Sequence, residues 1–477
     1  MNISKFIGRE QELITLSRFT KKNTASLLVI KGRRRIGKSR LVEEFSKCNK
    51  IKLFNFVGLY PEIGITAQQQ RNEFAKQMGF VGLVTKDWSD LFRALADRVQ
   101  KDKVIVLLDE ISWMAYGDNT FLPKLKNAWD IYFKKNDRLI LIICGSASSW
   151  IEKSILSSTG FVGRISFTLT LEELHINECS VFWGEAIKNI SPLEILKILS
   201  VTGGIPKYLE EIDQHLDAED NIKKLCFTKG GMLFDEFDNI FRSSFIRKSN
   251  MYIKIIRLLA NGPKEMIELC RLLNIKPTGR FSEYLYELEL AGFVKRDYTW
   301  QLRTGLDTKM SKYRLSDNYI RFYLKYIDKY KTKIERGNFD IKSLANLPAW
   351  DSIMALQFEN LVLNNRKTIL RTLGINHDDI VSENPYFQHG TTKQEGCQID
   401  YMVQTKSGSL YICEIKFSKN KIGYKIINEM QRKINTLKET KRASYRPVLI
   451  HTGGITKDVE SSDYFIKIID FCGLLKN

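Results

Sequence analysis

One octapeptide limits what this chain can fold into more than any other stretch. Gly32-Arg33-Arg34-Arg35-Ile36-Gly37-Lys38-Ser39 satisfies G-x-x-x-x-G-K-S/T. Its glycines let backbone N–H groups close around phosphate oxygens, and the helix that must follow adds its positive dipole end. The pattern has this meaning only between a strand and a helix. Ser26 to Ile30 is an apolar run long enough for a buried strand and too short for a helix. Arg40 to Ser46 then carries Leu41, Val42 and Phe45 at helical spacing.

The same alternation continues downstream. Val104 to Leu108 is a second apolar run, ending in Asp109-Glu110, and Leu139 to Cys144 is a third, ending in Gly145-Ser146. Helical patterns, Trp88 to Val99 and Phe121 to Phe133, lie between them. Strands alternating with helices predict an α/β fold, a parallel sheet with helices on both faces. In that frame Lys38 reaches the β- and γ-phosphates of ATP and Ser39 ligates Mg²⁺. Asp109 holds the Mg²⁺ shell, and Glu110 is placed to polarise the attacking water. Ser146 orients that water, or senses the γ-phosphate, or else caps a helix.

Together these pieces resemble the AAA+/STAND-like ATPases of archaeal and bacterial type. The likeness rests on Phe6-Ile7-Gly8-Arg9-Glu10, the octapeptide, Leu108-Asp109-Glu110, Cys144-Gly145-Ser146, Gly163-Arg164 and Gly203-Gly204-Ile205-Pro206. It covers about the first half of the chain. It implies an ASCE-type P-loop NTPase core followed by a helical lid, with ATP and Mg²⁺ as cofactors. Gly8, Arg9, Gly32, Arg33, Arg34, Arg35, Ile36, Gly37, Lys38, Ser39, Arg40, Asp109, Ser146 and Pro206 form the nucleotide-binding set, Gly8 and Arg9 packing near adenine. Arg164 looks like the family's arginine near the γ-phosphate, or else a plain salt-bridging arginine. Copies of the chain are expected to associate through the ATPase domain, and a protein partner stays open.

From about Leu169 the strand signal fades, and Glu172 to Leu216 reads as successive short helices. Met251 to Trp300 resembles a winged helix-turn-helix, with helices at Ile255 to Ala260, Lys264 to Leu273 and Phe281 to Ala291. Gly292 to Arg296 is the expected first wing strand and Lys312 to Leu315 the returning one. The third helix is expected to expose Glu283, Glu287 and Glu289, which suits phosphate contact badly, while Lys276, Arg280, Lys295 and Arg296 flank it. Packing module and DNA reader both remain open. Asn338 to Pro348 reads as a linker.

The last third holds a second constellation. Cys397 to Val403 alternates, a turn at Lys406-Ser407-Gly408 follows, and Leu410 to Lys416 returns. Glu414 and Lys416, two apart, share one face of that strand, and a hairpin partner brings Asp400 alongside. Glu359 lies on the preceding helix. This arrangement resembles the restriction-endonuclease-like PD-(D/E)xK nucleases. The resemblance implies Glu359, Asp400 and Glu414 as metal ligands, with Lys416 assisting the nucleophile. Gln431 is a further candidate, and Lys419 and Lys421 are placed to meet a DNA backbone. Ordinary surface charge pairing is the competing explanation.

Composition adds a partner class. Lys and Arg number 74 against 55 Asp and Glu, a formal net charge of +19, which favours a polyanion such as DNA. A lysine-rich genome produces the same bias. Eight cysteines fall as singles with no C-x-x-C pair, so neither a zinc ribbon nor a disulfide framework is expected. No apolar run approaches a membrane span, and the segment from Met1 to Glu12 lacks a signal-peptide core, so the expectation is a cytoplasmic protein without membrane contact. The expected order is a P-loop core at 1–168, a helical lid at 169–248, a winged helix at 249–337 and a nuclease-like domain at 345–477. The function expected from that order is an ATP-binding, ATP-hydrolysing switch controlling a metal-dependent DNA nuclease-like domain. The alternative is a nucleotide-switched DNA- or protein-binding regulator whose C-terminal domain is a scaffold.

Overall fold

The computed structural model describes residues 6–475 except 62–63, 81, 83–84, 101, 147, 245–248, 393–394 and 438–442. Residues 1–5, which open the N-terminal segment judged above, and 476–477, which close the C-terminal one, lie outside the described residues. The chain forms two compact units, one of Met1–Glu172 with Asp238–Ser249 and Leu290–Gly292, the other of Glu173–Phe237, Asn250–Glu289 and Phe293–Asn477.

In the first unit, β1 (Ser26–Gly32), β2 (Lys52–Val57), β3 (Val104–Asp109), β4 (Leu139–Gly145) and β5 (Ile165–Leu171) form one sheet in the order β2-β3-β4-β1-β5. Every pairing is parallel. Strands β3 and β4 are buried along their whole length, as parallel strands covered on both faces must be. This is why their sequences read as unbroken apolar runs. The edge strand β2 was not legible in that way, because Lys52 and Val57 are exposed and Asn55 interrupts it. Likewise β5, at the other edge, is mostly half-exposed, so its apolar signal fades.

The register places Ile30 beside Cys144 and Leu108 beside Ile143. The carboxyl ends of β1, β3 and β4 therefore lie together, carrying Gly32, Asp109 and Gly145. Open parallel sheets bind ligands at this end. Trp88, Phe92, Phe74 and Phe121 pack one face of the sheet, the Trp88 and Phe121 rings meeting edge-on at 4.8 Å. The helices carrying them run Trp88–Arg98, Ala67–Gln77 and Phe121–Ile131.

The expected lid, 169–248, is divided: the second unit contains only its part Glu173–Phe237, and that part shares a core with the C-terminal sheet. Leu196 and Leu199, on helix Pro192–Thr202, join a cluster with Phe358, Tyr401, Val403 and Val448. The region expected as a winged helix holds helices Ser249–Leu259, Met266–Leu272 and Gly279–Leu290. Its strands β6 (Lys264–Glu265), β7 (Val294–Trp300) and β8 (Asp307–Leu315) form an antiparallel sheet in the order β6-β8-β7. Lys264 and Glu265 thus open a strand and not the second helix.

A correction concerns the third helix. Glu287 is buried and takes the Tyr252 hydroxyl as a hydrogen-bond donor, and burial pushes the Glu289 carboxyl up. Of the face expected to be exposed and acidic, Glu287 is turned inward and Glu283 and Glu289 are half-buried. Exposed positions on this helix are instead Arg280, Ser282 and Tyr286.

The C-terminal sheet contains β9 (Ile380–Gln388), β10 (Cys397–Thr405), β11 (Ser409–Lys416), β12 (Ser444–His451) and β13 (Lys467–Asp470), in the order β13-β12-β11-β10-β9. β9, β10 and β11 pair antiparallel with one another, whereas β12 and β13 extend the sheet in parallel from β11. Helix Trp350–Asn364 covers one face through Phe358 and Leu361, and helix Lys425–Thr436 the other through Ile426, Ile427 and Met430. Seven of the eight cysteines are buried as free thiols, acting as small core side chains. Among the described residues no helix is long and apolar enough to cross a membrane.

Candidate functional site

The loop after β1 is shaped by backbone conformations that few residues tolerate. Gly32, Arg35 and Gly37 all have positive φ (153°, 70° and 92°). A Cβ on Gly32 would lie 2.5 Å from the Leu171 carbonyl oxygen, so glycine is required for the close approach to β5. Gly37 caps helix Lys38–Cys48, whose first N–H groups open into the loop. Lys38 is buried and donates from Nζ to the carbonyls of Gly32 and Arg33, both at 3.0 Å. The loop thus holds its own lysine across the cradle. Arg33 is buried and Arg34, Arg35 and Arg40 are partly so, with Ile36 in the core.

The acidic pair at the end of β3 divides its work. Ser39 donates its hydroxyl to Asp109 Oδ2, while Asp109 Oδ1 accepts the Glu110 N–H at 3.0 Å. Glu110 has a left-handed backbone (φ 49°, ψ 51°), uncommon for a residue with a side chain. From this turn its Oε2 accepts two bonds from Ser146, the N–H at 3.1 Å and the hydroxyl at 3.0 Å. The start of helix Lys38–Cys48 is thereby joined to the end of β3, and the end of β3 to the segment that follows β4.

The N-terminal segment is tied to the same loop. Gly8 and Arg9 both have positive φ, and Arg9, 4% exposed, donates to Ile36 O at 3.4 Å and to Glu172 O. Arg164, in contrast, donates from Nε and Nη2 to the two oxygens of Asp130 at 2.9 and 2.8 Å. That hydrogen bond holds the Asp130 carboxyl down at about 2. Pro206 opens the short helix Pro206–Leu209 and belongs to the second unit.

A second cluster lies at the centre of the C-terminal sheet. The hairpin register, Tyr401 opposite Cys413, puts Asp400 beside Glu414, and Asp400 Oδ2 accepts the Ile415 N–H at 2.9 Å. Burial, followed by the Glu414 charge, pushes the Asp400 carboxyl up to about 7. Glu359 is also pushed up by burial, with Arg314 and Arg321 opposing. Lys416 Nζ lies 3.0 Å from Glu414 Oε1 and 3.2 Å from Glu429.

Lys433, on helix Lys425–Thr436, lies 2.6 Å from Glu414 Oε2 and 3.8 Å from Asp400 Oδ1. Burial works to lower the Lys433 ammonium, but the charges of Asp400 and Glu414 outweigh it and raise it. Sequence reasoning passed over Lys433 for Gln431, which bonds instead to Asn435 and Tyr464. A signal was present: Lys433 stands three after Met430 and seven after Ile426, on the inward face of the helix. Among the described residues, no three His, Cys, Asp or Glu side chains form a ready metal cage. Lys419 and Lys421 are exposed.

Comparison with known proteins addresses the first site. Residues 6–212 match the family model of an ATPase domain predominantly from Archaea. An uncharacterized protein of Methanocaldococcus jannaschii is 27% identical over 344 residues, covering 71% of this chain and 72% of its own length. A second protein of that organism, an uncharacterized ATP-binding protein, is 42% identical over 50 residues, 10% of this chain and 85% of its own. Among solved structures, the Walker-type ATPase of Pyrococcus abyssi aligns with a TM-score of 0.48 and 18% identity, over 67% of this chain and 96% of its own. The family match ends in the second unit and does not reach the C-terminal sheet; what it supports is an ATPase domain at residues 6–212.

Proposed function

We propose that the chain binds ATP with Mg²⁺ at the Gly32–Ser39 loop and hydrolyses it. The observation that carries this reading is the side-chain linkage of the helix after the loop to the ends of β3 and β4, Ser39 to Asp109 and Ser146 to Glu110. A serine hydroxyl and a carboxylate side by side are hard oxygen donors that suit Mg²⁺, so Ser39 and Asp109 are the residues to hold it. When bound, the ion neutralises charge on the phosphate oxygens. Lys38 then exchanges its loop carbonyls for phosphate oxygens, and the loop N–H groups close on the same anion. Glu110 takes the proton of the attacking water at Oε1, the oxygen that Ser146 leaves unengaged. Arg9 fixes the segment before the first helix against the loop. Arg164 reaches a γ-phosphate only if it leaves Asp130.

Nucleotide binding by the wild type and by Lys38→Ala, followed by isothermal titration, tests the first step. Loss of binding in the variant is expected, and unchanged affinity would sink the reading. Glu110→Gln is expected to retain binding and lose turnover.

For the C-terminal domain, the reading that best accounts for Asp400, Glu414 and Lys416 converging is a metal-dependent DNA phosphodiesterase controlled by the ATPase. Two adjacent carboxylates neutralised by an ammonium form a donor set that accepts a cation, so Asp400 and Glu414 are the ligands, with Glu359 behind them. The ion would supply charge stabilisation at the scissile phosphate. Lys416 orients the attacking water. The basic balance of the chain, +19, suits DNA as the partner, and the wing region serves this reading as a packing module beside it. Self-association through the ATPase domain belongs to the same proposal, with light scattering in the presence and absence of ATP as its check.

One observation favours the scaffold alternative: both Glu414 oxygens already face lysines. Incubation with Mg²⁺ or Mn²⁺ and several DNA forms, beside Asp400→Ala and Lys416→Ala, separates the two. Cleavage by the wild type alone supports the nuclease; no cleavage under any metal or nucleotide condition leaves the scaffold.

A further inference from the structure

Lys433 is the one basic side chain, among the described residues, in ion-pair contact with both Asp400 and Glu414. Its ammonium lies 2.6 Å from Glu414 and 3.8 Å from Asp400, while Lys416 reaches Glu414 and Glu429 but not Asp400. The two carboxylates come from neighbouring antiparallel strands, held by the β10–β11 register and by the Ile415 N–H on Asp400 Oδ2. Lys433 comes from a helix, on a flexible four-carbon stem with 27% of its side chain exposed. The carboxylates are therefore fixed by the sheet, and the cation between them is the part able to move.

We propose that Lys433 is a built-in substitute for the divalent cation of this site, occupying the place between Asp400 and Glu414 and excluding the ion until it swings out. This rests on the reading of Asp400 and Glu414 as metal ligands. The electrostatics require the exchange. Two charged carboxylates this close repel each other unless a cation lies between them or one of them takes up a proton, and one ammonium and one divalent ion cannot share that space. The lysine keeps the pair together without metal, so the site survives as a folded cluster in its resting state. Its displacement becomes a control point. Any event that draws the Lys433 end of the helix away, or offers its ammonium a DNA phosphate instead, lowers the barrier to metal entry. Lys433 is in this sense a positioning and gating residue, not a catalytic one.

The experiment uses the full chain without nucleotide and Mn²⁺ as the probe, read by electron paramagnetic resonance. Lys433→Met keeps the stem and removes the charge. It is expected to bind Mn²⁺ on the order of tenfold more tightly than the wild type, the size of one contact pair's coupling. Asp400→Asn added to Lys433→Met should abolish the gain. Equal or weaker Mn²⁺ binding by Lys433→Met overturns the proposal.

If Lys433→Met fails to fold, acylation of Lys433 in the wild type decides, measured by peptide mass spectrometry. Mn²⁺ should raise its reactivity severalfold, and should leave it unchanged in Asp400→Asn; no rise in the wild type overturns the proposal. These readouts are independent of DNA cleavage. A wild type that cuts no DNA but shows the Mn²⁺ behaviour removes the nuclease reading and leaves the gate. Cleavage with no change in Lys433→Met removes the gate alone.

Discussion

Ser146 donates both its backbone N–H and its hydroxyl to one oxygen of Glu110, at 3.1 and 3.0 Å. This double contact spans β4 to β3 and fixes a carboxylate whose own backbone is left-handed. Ser146→Ala removes one of the two donors and leaves the other. The carboxylate keeps its place but loses directional restraint, so turnover should fall about tenfold, against on the order of 100-fold or more for Glu110→Gln, which loses the base. ATP affinity should be unchanged in both. Steady-state ATPase assays with a separate binding titration check this; a Ser146→Ala enzyme with normal turnover would show that the bond is only a resting contact.

Gly32→Ala probes the loop from the other side. The added Cβ meets the Leu171 carbonyl at 2.5 Å, with the backbone already in a region alanine avoids. Neither β5 nor the loop yields without breaking its ladder, so a cost of about 1–3 kcal/mol is expected. Thermal melting should show it, together with loss of ATP binding. Gly163→Ala, with nothing within 4 Å of its added Cβ, is the comparison for a positive-φ glycine outside the cradle.

The nucleotide loop was legible because its chemistry is local. Eight consecutive residues carry it, and the buried strands β1, β3 and β4 announce themselves as apolar runs. The Ser146–Glu110 contact was not readable, since it depends on β4 inserting between β1 and β3, a matter of sheet order. The acidic face assigned to helix Gly279–Leu290 was misjudged for a related reason. A buried glutamate looks like a surface one until its partner, here Tyr252, is known. Asp400 and Glu414 were found because a hairpin's register follows from its turn, whereas Lys433 arrives from a separate helix packed on the sheet.

Asp130 and Arg164 give a pH dependence with a definite sign. The Arg164 bond holds the Asp130 carboxyl down at about 2, below the unfolded value of about 4. A depressed acid stabilises the fold above its unfolded pKa and loses that contribution as pH falls through the folded one. The contribution is therefore complete at neutral pH and fades between about 4 and 2. Asp130→Asn should flatten the fall in melting temperature over that window relative to the wild type. The same variant releases Arg164, and an accompanying rise in ATPase turnover would mean that Asp130 restrains an arginine destined for the γ-phosphate.

Arg314 and Asp297 offer the sharpest stability test. Their side chains are 5% and 7% exposed, joined at 2.8 Å across the β7–β8 ladder, and Arg314 also donates to Asn360 on helix Trp350–Asn364. A buried pair of this kind is worth little against two apolar residues, because desolvation offsets the attraction. Removing one partner is different, since the survivor stays buried with its charge uncompensated. Arg314→Met should cost about 3–5 kcal/mol, while Arg314→Met with Asp297→Leu should recover most of it. Arg314 also opposes the upward push on Glu359, so the single variant should raise the Glu359 carboxyl further. Denaturant unfolding of the two variants beside Asp297→Leu closes the cycle; additive losses would mean that the pair is not coupled and that Asn360 alone holds Arg314.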